Sequence, residues 1–298
     1  MKNIRFYAAL LLSAAFSVAC TDTSSNQSVG NVSQQEHITL GHIEATAIQD
    51  NATPHFMPVT LFPDAGDSLI SALDLNDGIP SSMSAFWVTN DSISILFDTG
   101  MGGPQSQLLP RLKSLGISPE EVEYIYLTHF HGDHIGGLMR GDTIVFPNAQ
   151  LYASKVEYEA WLDMEAGNGP ATKAMNAYND RLHLFAFGDT LPGEVIALSA
   201  IGHTPGHTVY RIGDLLIVGD IIHGTSLQIP HPEVCATYDM DKEEAIKTRR
   251  YYLDYAQKNQ LTMAGMHFPN NQTISLNESS SFSCKYQTHQ TRGNHSVE

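Results

Sequence analysis

Thr128-His129-Phe130-His131-Gly132-Asp133-His134-Ile135-Gly136-Gly137 places three imidazoles and a carboxylate within six residues. Each is a good ligand for a borderline divalent metal. Just upstream, Val122-Glu123-Tyr124-Ile125-Tyr126-Leu127 is rich in β-branched and aromatic residues and reads as a strand. Gly132 breaks it, and Gly136-Gly137 let backbone approach closely. His129 and His131 are two apart, so they project to one side of an extended chain. Asp133 and His134 fall after the turn and can face a second point. One segment can therefore serve two metal ions, but four ligands do not complete two sites.

Three later stretches offer the missing donors. Gly202-His203-Thr204-Pro205-Gly206-His207 sets a histidine in a Gly/Pro-rich turn after a strand. Leu215-Leu216-Ile217-Val218-Gly219-Asp220 is an apolar strand ending in a carboxylate. Met263-Ala264-Gly265-Met266-His267-Phe268-Pro269 puts His267 at another strand end. Taken singly, Asp220 also reads as a helix N-cap or solvated turn, and His267 as an ordinary half-buried histidine.

The bulk properties narrow the function. The chain has 298 residues, 42% of them hydrophobic, enough for one large domain or two small ones. Sixteen Lys+Arg stand against 32 Asp+Glu, a formal charge of -16. That disfavours tight binding to nucleic acid or anionic lipid, which needs basic patches. Cys20, Cys235 and Cys284 form no C-x-x-C pair, which argues against a Cys-rich zinc module or a disulfide scaffold.

Residues 1–20 read as a signal peptide: Lys2 and Arg5 precede a mainly apolar run at 7–19, too short to span a bilayer comfortably. Ser17-Val18-Ala19-Cys20 resembles a bacterial lipoprotein cleavage box with Cys20 as the acylated residue. The expected localisation is therefore the cell envelope, by a lipid anchor, or else secretion. Residues 21–36 read as a flexible polar tether. The domain is expected at 37–269, with strands at 37–40 and 43–48 and a hairpin at 85–97. Residues 50–83, with four prolines, are expected as loop lying over a site. Helices are expected near 155–164, carrying Trp161, and 242–257. Further strands are expected at 151–153, 195–198, 208–212, 215–218 and 261–266. Strands followed by surface helices in each half suggest α/β layers. Residues 270–298, rich in Ser, Asn and Gln, are expected as a disordered tail.

The order H-x-H-x-D-H, G-H-T-P-G-H, G-D and a late His resembles the metallo-β-lactamase superfamily over roughly residues 37–269. Phe97-Asp98-Thr99-Gly100, Phe146-Pro147-Asn148-Ala149 with Trp161, and the stretch from Asp239 to Arg249 look like its methyl parathion hydrolase and N-acyl homoserine lactonase branch. The resemblance implies a four-layer αββα sandwich. It implies two divalent metal ions, zinc first and Co, Mn or Fe as alternatives. One ion would be held by His129, His131 and His203, and the other by Asp133, His134 and His267, with Asp220 bridging. Asp98 would orient a ligand imidazole, His207 would have a structural role, and Trp161 would line the pocket entrance. Relatives are often homodimers.

A metal-bridging hydroxide would then cleave a small ester, lactone or phosphotriester, with Asp133, Asp220 and His223 nearest the reacting atoms. His223 stands where lactonases of the superfamily often have Tyr, and can serve as the donor to the substrate carbonyl. True metallo-β-lactamases commonly have Cys or Ser in place of Asp220, which disfavours β-lactams. The flavin-dependent di-iron members have Glu in place of His131, which argues against redox chemistry. A thioesterase resembling glyoxalase II keeps the same ligands and stays open, as does, though disfavoured, a β-lactamase. So does a weakly active surface-anchored binding protein, because the relatives' H-F-P-F-P-G-x-G-H ending reads His267-Phe268-Pro269-Asn270-Asn271-Gln272-Thr273 here.

Overall fold

The computed structural model describes residues 36–276, apart from Ser92 and Gln272. The expected signal segment, Cys20, most of the expected tether and Cys284 lie outside the described residues. Strands β1 (His37–Leu40), β2 (Ile43–Gln49), β3 (Ser84–Thr89), β4 (Ser94–Phe97), β5 (Tyr124–Tyr126), β6 (Gln150–Ser154) and β7 (Leu182–Phe185) lie side by side in chain order in one sheet. Strands β8 (Thr190–Leu191), β9 (Val195–Ser199), β10 (Thr208–Ile212), β11 (Leu215–Ile217), β12 (Thr262–Ala264) and β13 (Thr273–Ser275) do the same in a second.

The period-2 alternation of side chains sorts residues into layers. Phe86, Val88, Ile95 and Phe97 of the first sheet meet Val195, Ala197, Tyr210, Ile212, Leu215 and Ile217 of the second in one core between the sheets. Their alternates Ala85 and Leu96 face outward, onto Leu108, Leu112, Ala174 and Met175 of α2 (Leu108–Ser114) and α5 (Pro170–Ala177). On the far side, Val209, Leu216 and Met263 pack against Tyr252, Leu253 and Ala256 of α7 (Lys242–Lys258). The order is helix, sheet, sheet, helix, the four-layer αββα sandwich that the resemblance implied.

Two adjoining strands that run parallel need a long crossover, which is where the helices sit. The pairs β4–β5, β5–β6, β6–β7 and β11–β12 are parallel. Between β6 and β7 run α4 (Lys155–Met164) and α5; between β11 and β12 run α6 (Thr225–Gln228) and α7. Asp98, His129, His203, Asp220 and His267 each fall just beyond the carboxyl end of β4, β5, β9, β11 or β12. In open α/β sheets that end is where ligands bind.

Two expectations are corrected. Residues 50–83 are not plain loop: they hold the ribbon His55–Met57 with Ile79–Ser81 and α1 (Gly66–Ala72). Met57, Phe62, Ile70, Leu75 and Ile79 form a satellite core with Leu227, Val234 and Ala236. The prolines punctuate this segment without preventing burial. The domain also does not stop at 269. Thr273–Ser275 pairs antiparallel with β12, and Ile274 is buried in the α7-side core. Three alternating residues are too few to stand out in a polar stretch, but they cover the sheet edge that an absent last strand would expose. Residues 277–298 lie outside the described ones. Among the described residues no helix is long and apolar enough to cross a membrane.

Glu36 accepts a hydrogen bond from the Thr273 backbone, tying the start of the domain to β13, and burial pushes its carboxyl up to about 7. The fold thus favours the neutral acid. Stability from this group is present below the ordinary value of 4.5 and is lost as pH rises toward 7. Glu36→Gln should flatten that part of the Tm-against-pH curve. A Tm profile parallel to the parent's between pH 4.5 and 7 would remove Glu36 as its cause.

Candidate metal centre

Phe130 is buried in the outer core, so the alternation of β5 continues and turns His129 and His131 the other way together. Their ring nitrogens, His129 Nε2 and His131 Nδ1, stand 3.0 Å apart. His131 is also the N-cap of α3 (Gly132–Ile135), whose first turn carries Asp133 and His134. The loop after β9 brings His203 Nε2 to 2.9 Å from His131 Nδ1. His129, His131 and His203 thus form one group of convergent donors, and Asp133, His134, Asp220 and His267 a second. Asp220 Oδ2 is 3.3 Å from His134 Nε2 and 3.0 Å from His267 Nε2. It is also 3.5 Å from His203 Nε2 and 3.8 Å from His129 Nε2, so it faces both groups.

The other nitrogen of each ring fixes the tautomer. His134 Nδ1 donates to Asp98 Oδ2 at 2.7 Å. Thr128 Oγ1 gives its proton to the same carboxylate and accepts from His129 Nδ1 at 3.0 Å. Asp98 therefore orients two imidazoles, one directly and one through Thr128. His203 Nδ1 donates to Asp239 Oδ1 at 2.9 Å. His267 Nδ1 donates to the Ser82 carbonyl at 2.8 Å, an acceptor only, so its proton is on Nδ1. Four Nε2 lone pairs are left pointing inward.

These donors fit metal ions. His134 Nε2 and Asp220 Oδ1 are buried without a hydrogen-bond partner, a costly state unless a cation serves them. The two groups also differ in charge. Burial and the neighbouring His134 hold His129 well below the ordinary histidine value, and burial with His203 lowers His131 to about 4. That group offers neutral lone pairs. Against the desolvation of full burial, Asp220 and Asp133 hold His134 well above its ordinary value and raise His267 to about 10. That group demands positive charge, which a divalent ion supplies.

His207, expected as structural, accepts the Asp220 backbone N–H on Nε2 at 2.9 Å. Gly219 makes this possible: its φ is +54°, and a Cβ there would stand 2.5 Å from His207 Nε2. His223 is buried, its Nε2 3.5 Å from Asp220 Oδ2 and its ring stacked 5.4 Å from that of His267. Both its nitrogens lack a protein partner, and burial lowers it to about 3, so it stands as a neutral imidazole beside the centre. The edge of Trp161 meets His131 at 5.7 Å, and the half-exposed ring of Tyr238 lies 6.1 Å from His223.

Several supports went unread in the sequence. Asp239 stands in the sequence only as the start of a family-like stretch; in the structure it lies in the loop before α7 and holds His203. Ser81 and Ser82 clasp the last ligand loop: Ser81 Oγ donates to the His267 carbonyl and Ser82 Oγ to that of Phe268. Glu157 was hidden in a Ser-x-x-Glu helix start, Ser154 to Glu157, which reads as an ordinary cap.

The metallo-beta-lactamase superfamily pattern matches residues 79–255, more than half of the chain. The chain belongs to the metallo-beta-lactamase superfamily. This superfamily member is a metal-dependent hydrolase, and lactonases are among the proteins it resembles. AbOPH, a hydrolase in the beta lactamase superfamily, superposes with a TM-score of 0.73 at 28% identity, over 83% of this chain and 94% of that one. AidC, a dizinc quorum-quenching lactonase in complex with a product N-hexnoyl-L-homoserine, superposes with a TM-score of 0.74 at 25% identity, over 83% and 95%. The N-acyl homoserine lactonase AttM of Azorhizobium caulinodans is 30% identical over 126 residues, 37% of this chain and 45% of that protein. The superfamily match ends before His267, which the fold supplies.

Proposed function

We propose that this chain is a dinuclear metal hydrolase that opens a lactone or cleaves a small neutral ester. The observation that carries the reading is the position of Asp220, whose Oδ2 lies within 3.8 Å of ring nitrogens from both ligand groups. His129, His131 and His203 would hold one ion, Asp133, His134 and His267 the other, and Asp220 both. Bound there, divalent ions would acidify water at neutral pH and polarise the scissile oxygen. His223 then presents its N–H to the developing negative charge on that oxygen, free of any competing partner in the protein. Asp133, partly open to solvent beside His267, is placed to accept the proton of the attacking water and pass it to the alkoxide that leaves as the C–O bond of the ring breaks. Trp161 and Tyr238 give the mouth aromatic walls suited to an uncharged acyl group, while the net charge of -16 repels polyanions. In this reading the leader and Cys20 carry the enzyme to the cell envelope.

The test is hydrolysis by the zinc-loaded protein of an N-acyl homoserine lactone, an aryl ester, a phosphotriester and a glutathione thioester. The lactone or ester should give the highest kcat/KM. The thioester matters because the hydroxyacylglutathione hydrolase of Aeromonas salmonicida is 27% identical over 146 residues. A preference for the thioester would replace the lactonase reading with that one. No turnover of any of the four, despite bound metal, would remove the ester and lactone class.

A further inference from the structure

Glu157 lies at the third position of α4, buried, and its carboxylate is not used to cap its own helix. Oε1 accepts the Phe130 backbone N–H at 3.0 Å and the Trp161 indole N–H at 2.7 Å. Oε2 accepts the Thr204 hydroxyl at 2.9 Å and the Gly206 N–H at 2.7 Å. Four donors match the four lone-pair positions of a carboxylate. Their placement in the chain is informative. Phe130 separates His129 from His131, Thr204 follows His203, and Trp161 abuts the His131 ring. Gly206 packs so closely on Glu157 that a Cβ there would collide with the Glu157 backbone nitrogen. One anion therefore joins the two loops whose imidazoles approach to 2.9 Å. The other ligand group makes no contact with Glu157 through its orienting partners, which are Asp98 on His134 and Ser82 on His267; Asp98 also reaches His129, through Thr128.

Resting on the dinuclear reading above, we infer that Glu157 is a positioning residue for one metal only. It sets the separation of His131 and His203, and so the affinity and geometry of the three-histidine position, while the position of Asp133, His134 and His267 is independent of it. A carboxylate suits the task because it accepts from both loops at once. A glutamine offers one carbonyl oxygen and turns N–H groups toward the opposite pair of donors. Whichever way the amide is placed, a backbone N–H of Phe130 or Gly206 is left buried and unpaired.

The experiment is chelator competition on the zinc-loaded full chain, together with the visible spectrum of the cobalt-substituted protein, for the parent, Glu157→Gln and Thr204→Val. Asp133→Ala serves as the reference that weakens the other position. Glu157→Gln should lower retention of one ion about tenfold or more, as losses of a ligand-orienting partner do. The other ion should be held as in the parent, and the cobalt bands should shift differently from those of Asp133→Ala. Thr204→Val, which removes a single donor and is a milder test of folding, should shift the same ion in the same direction by less. Parent-like retention of both ions in both variants overturns the inference. So does equal loss of both ions, which would mark Glu157 as generally structural. A parent protein that holds fewer than two ions would sink the dinuclear reading, and this inference with it.

Discussion

If the dinuclear reading holds, Asp220→Ala should lose one of two bound metals on dialysis and lower kcat on the order of a thousandfold or more, at the upper end for a single catalytic group. The carboxylate is buried and faces ring nitrogens of five histidines, His129, His134, His203, His223 and His267. Burial alone would push its carboxyl up, but His134 and His267 hold it well below the usual carboxylate range. It therefore stays ionised whenever the enzyme works. On the dinuclear reading, two divalent ions held close together would repel strongly at low dielectric, and the Asp220 carboxylate would offset that repulsion. Asp220→Asn keeps the shape and drops the charge, and should show most of the same loss. The check is metal analysis with steady-state turnover. Retention of both metals with kcat within tenfold of the parent would exclude Asp220 as the bridge.

Arg249→Met should cost about 3–5 kcal/mol of stability, the penalty for leaving the partner of a buried ion pair uncompensated. For a domain of this size that is a Tm loss of about 6–20 °C. Arg249 is fully buried in α7. Its Nε donates to the Ile221 carbonyl, one terminal nitrogen donates to Pro232 and Val234, and the other pairs with Asp239 at 3.0 Å. Methionine fills the volume but takes a donor from three carbonyls and the compensating charge from the Asp239 carboxylate. Asp239 also orients His203, so metal retention should fall with stability. The neighbouring Arg250 is the control. It is exposed and pairs with exposed Glu233 at 3.7 Å, so Arg250→Met should change stability by less than about 1 kcal/mol. Equal effects at the two positions in chemical or thermal unfolding would show that the buried network adds nothing.

Much of the centre was legible because its chemistry is concentrated. His129, His131, Asp133 and His134 are adjacent in the chain, and donor types at metal-ligand spacing carry their own meaning without a fold. Asp220 and His267 were less distinct, each with an ordinary alternative, and drew weight from their order relative to the first motif. The groups that orient the ligands were harder to read. Ser82 reaches His267 across 185 residues, Asp239 reaches His203 across 36, and Glu157 reaches Gly206 across 49. A serine, an aspartate or a helix-start glutamate has many commoner uses, and nothing local marks the one adopted.

The fold divides along the same line. Alternation and turn residues located most strands of both sheets and the two longer helices, because burial of one face imposes period on local sequence. By itself the sequence determined the ligand types, the spacing of the first motif, the layered α/β class and the acidic balance. Only the tertiary structure decided that residues 50–83 form a buried satellite core, that Thr273–Ser275 closes the sheet edge, and that Asp220 lies within 3.8 Å of ring nitrogens from both groups of donors. The reason is physical. A periodic pattern or a ligand motif is held within a few residues, whereas a three-residue strand and a hydrogen bond between distant loops acquire their energy only from partners that folding brings alongside.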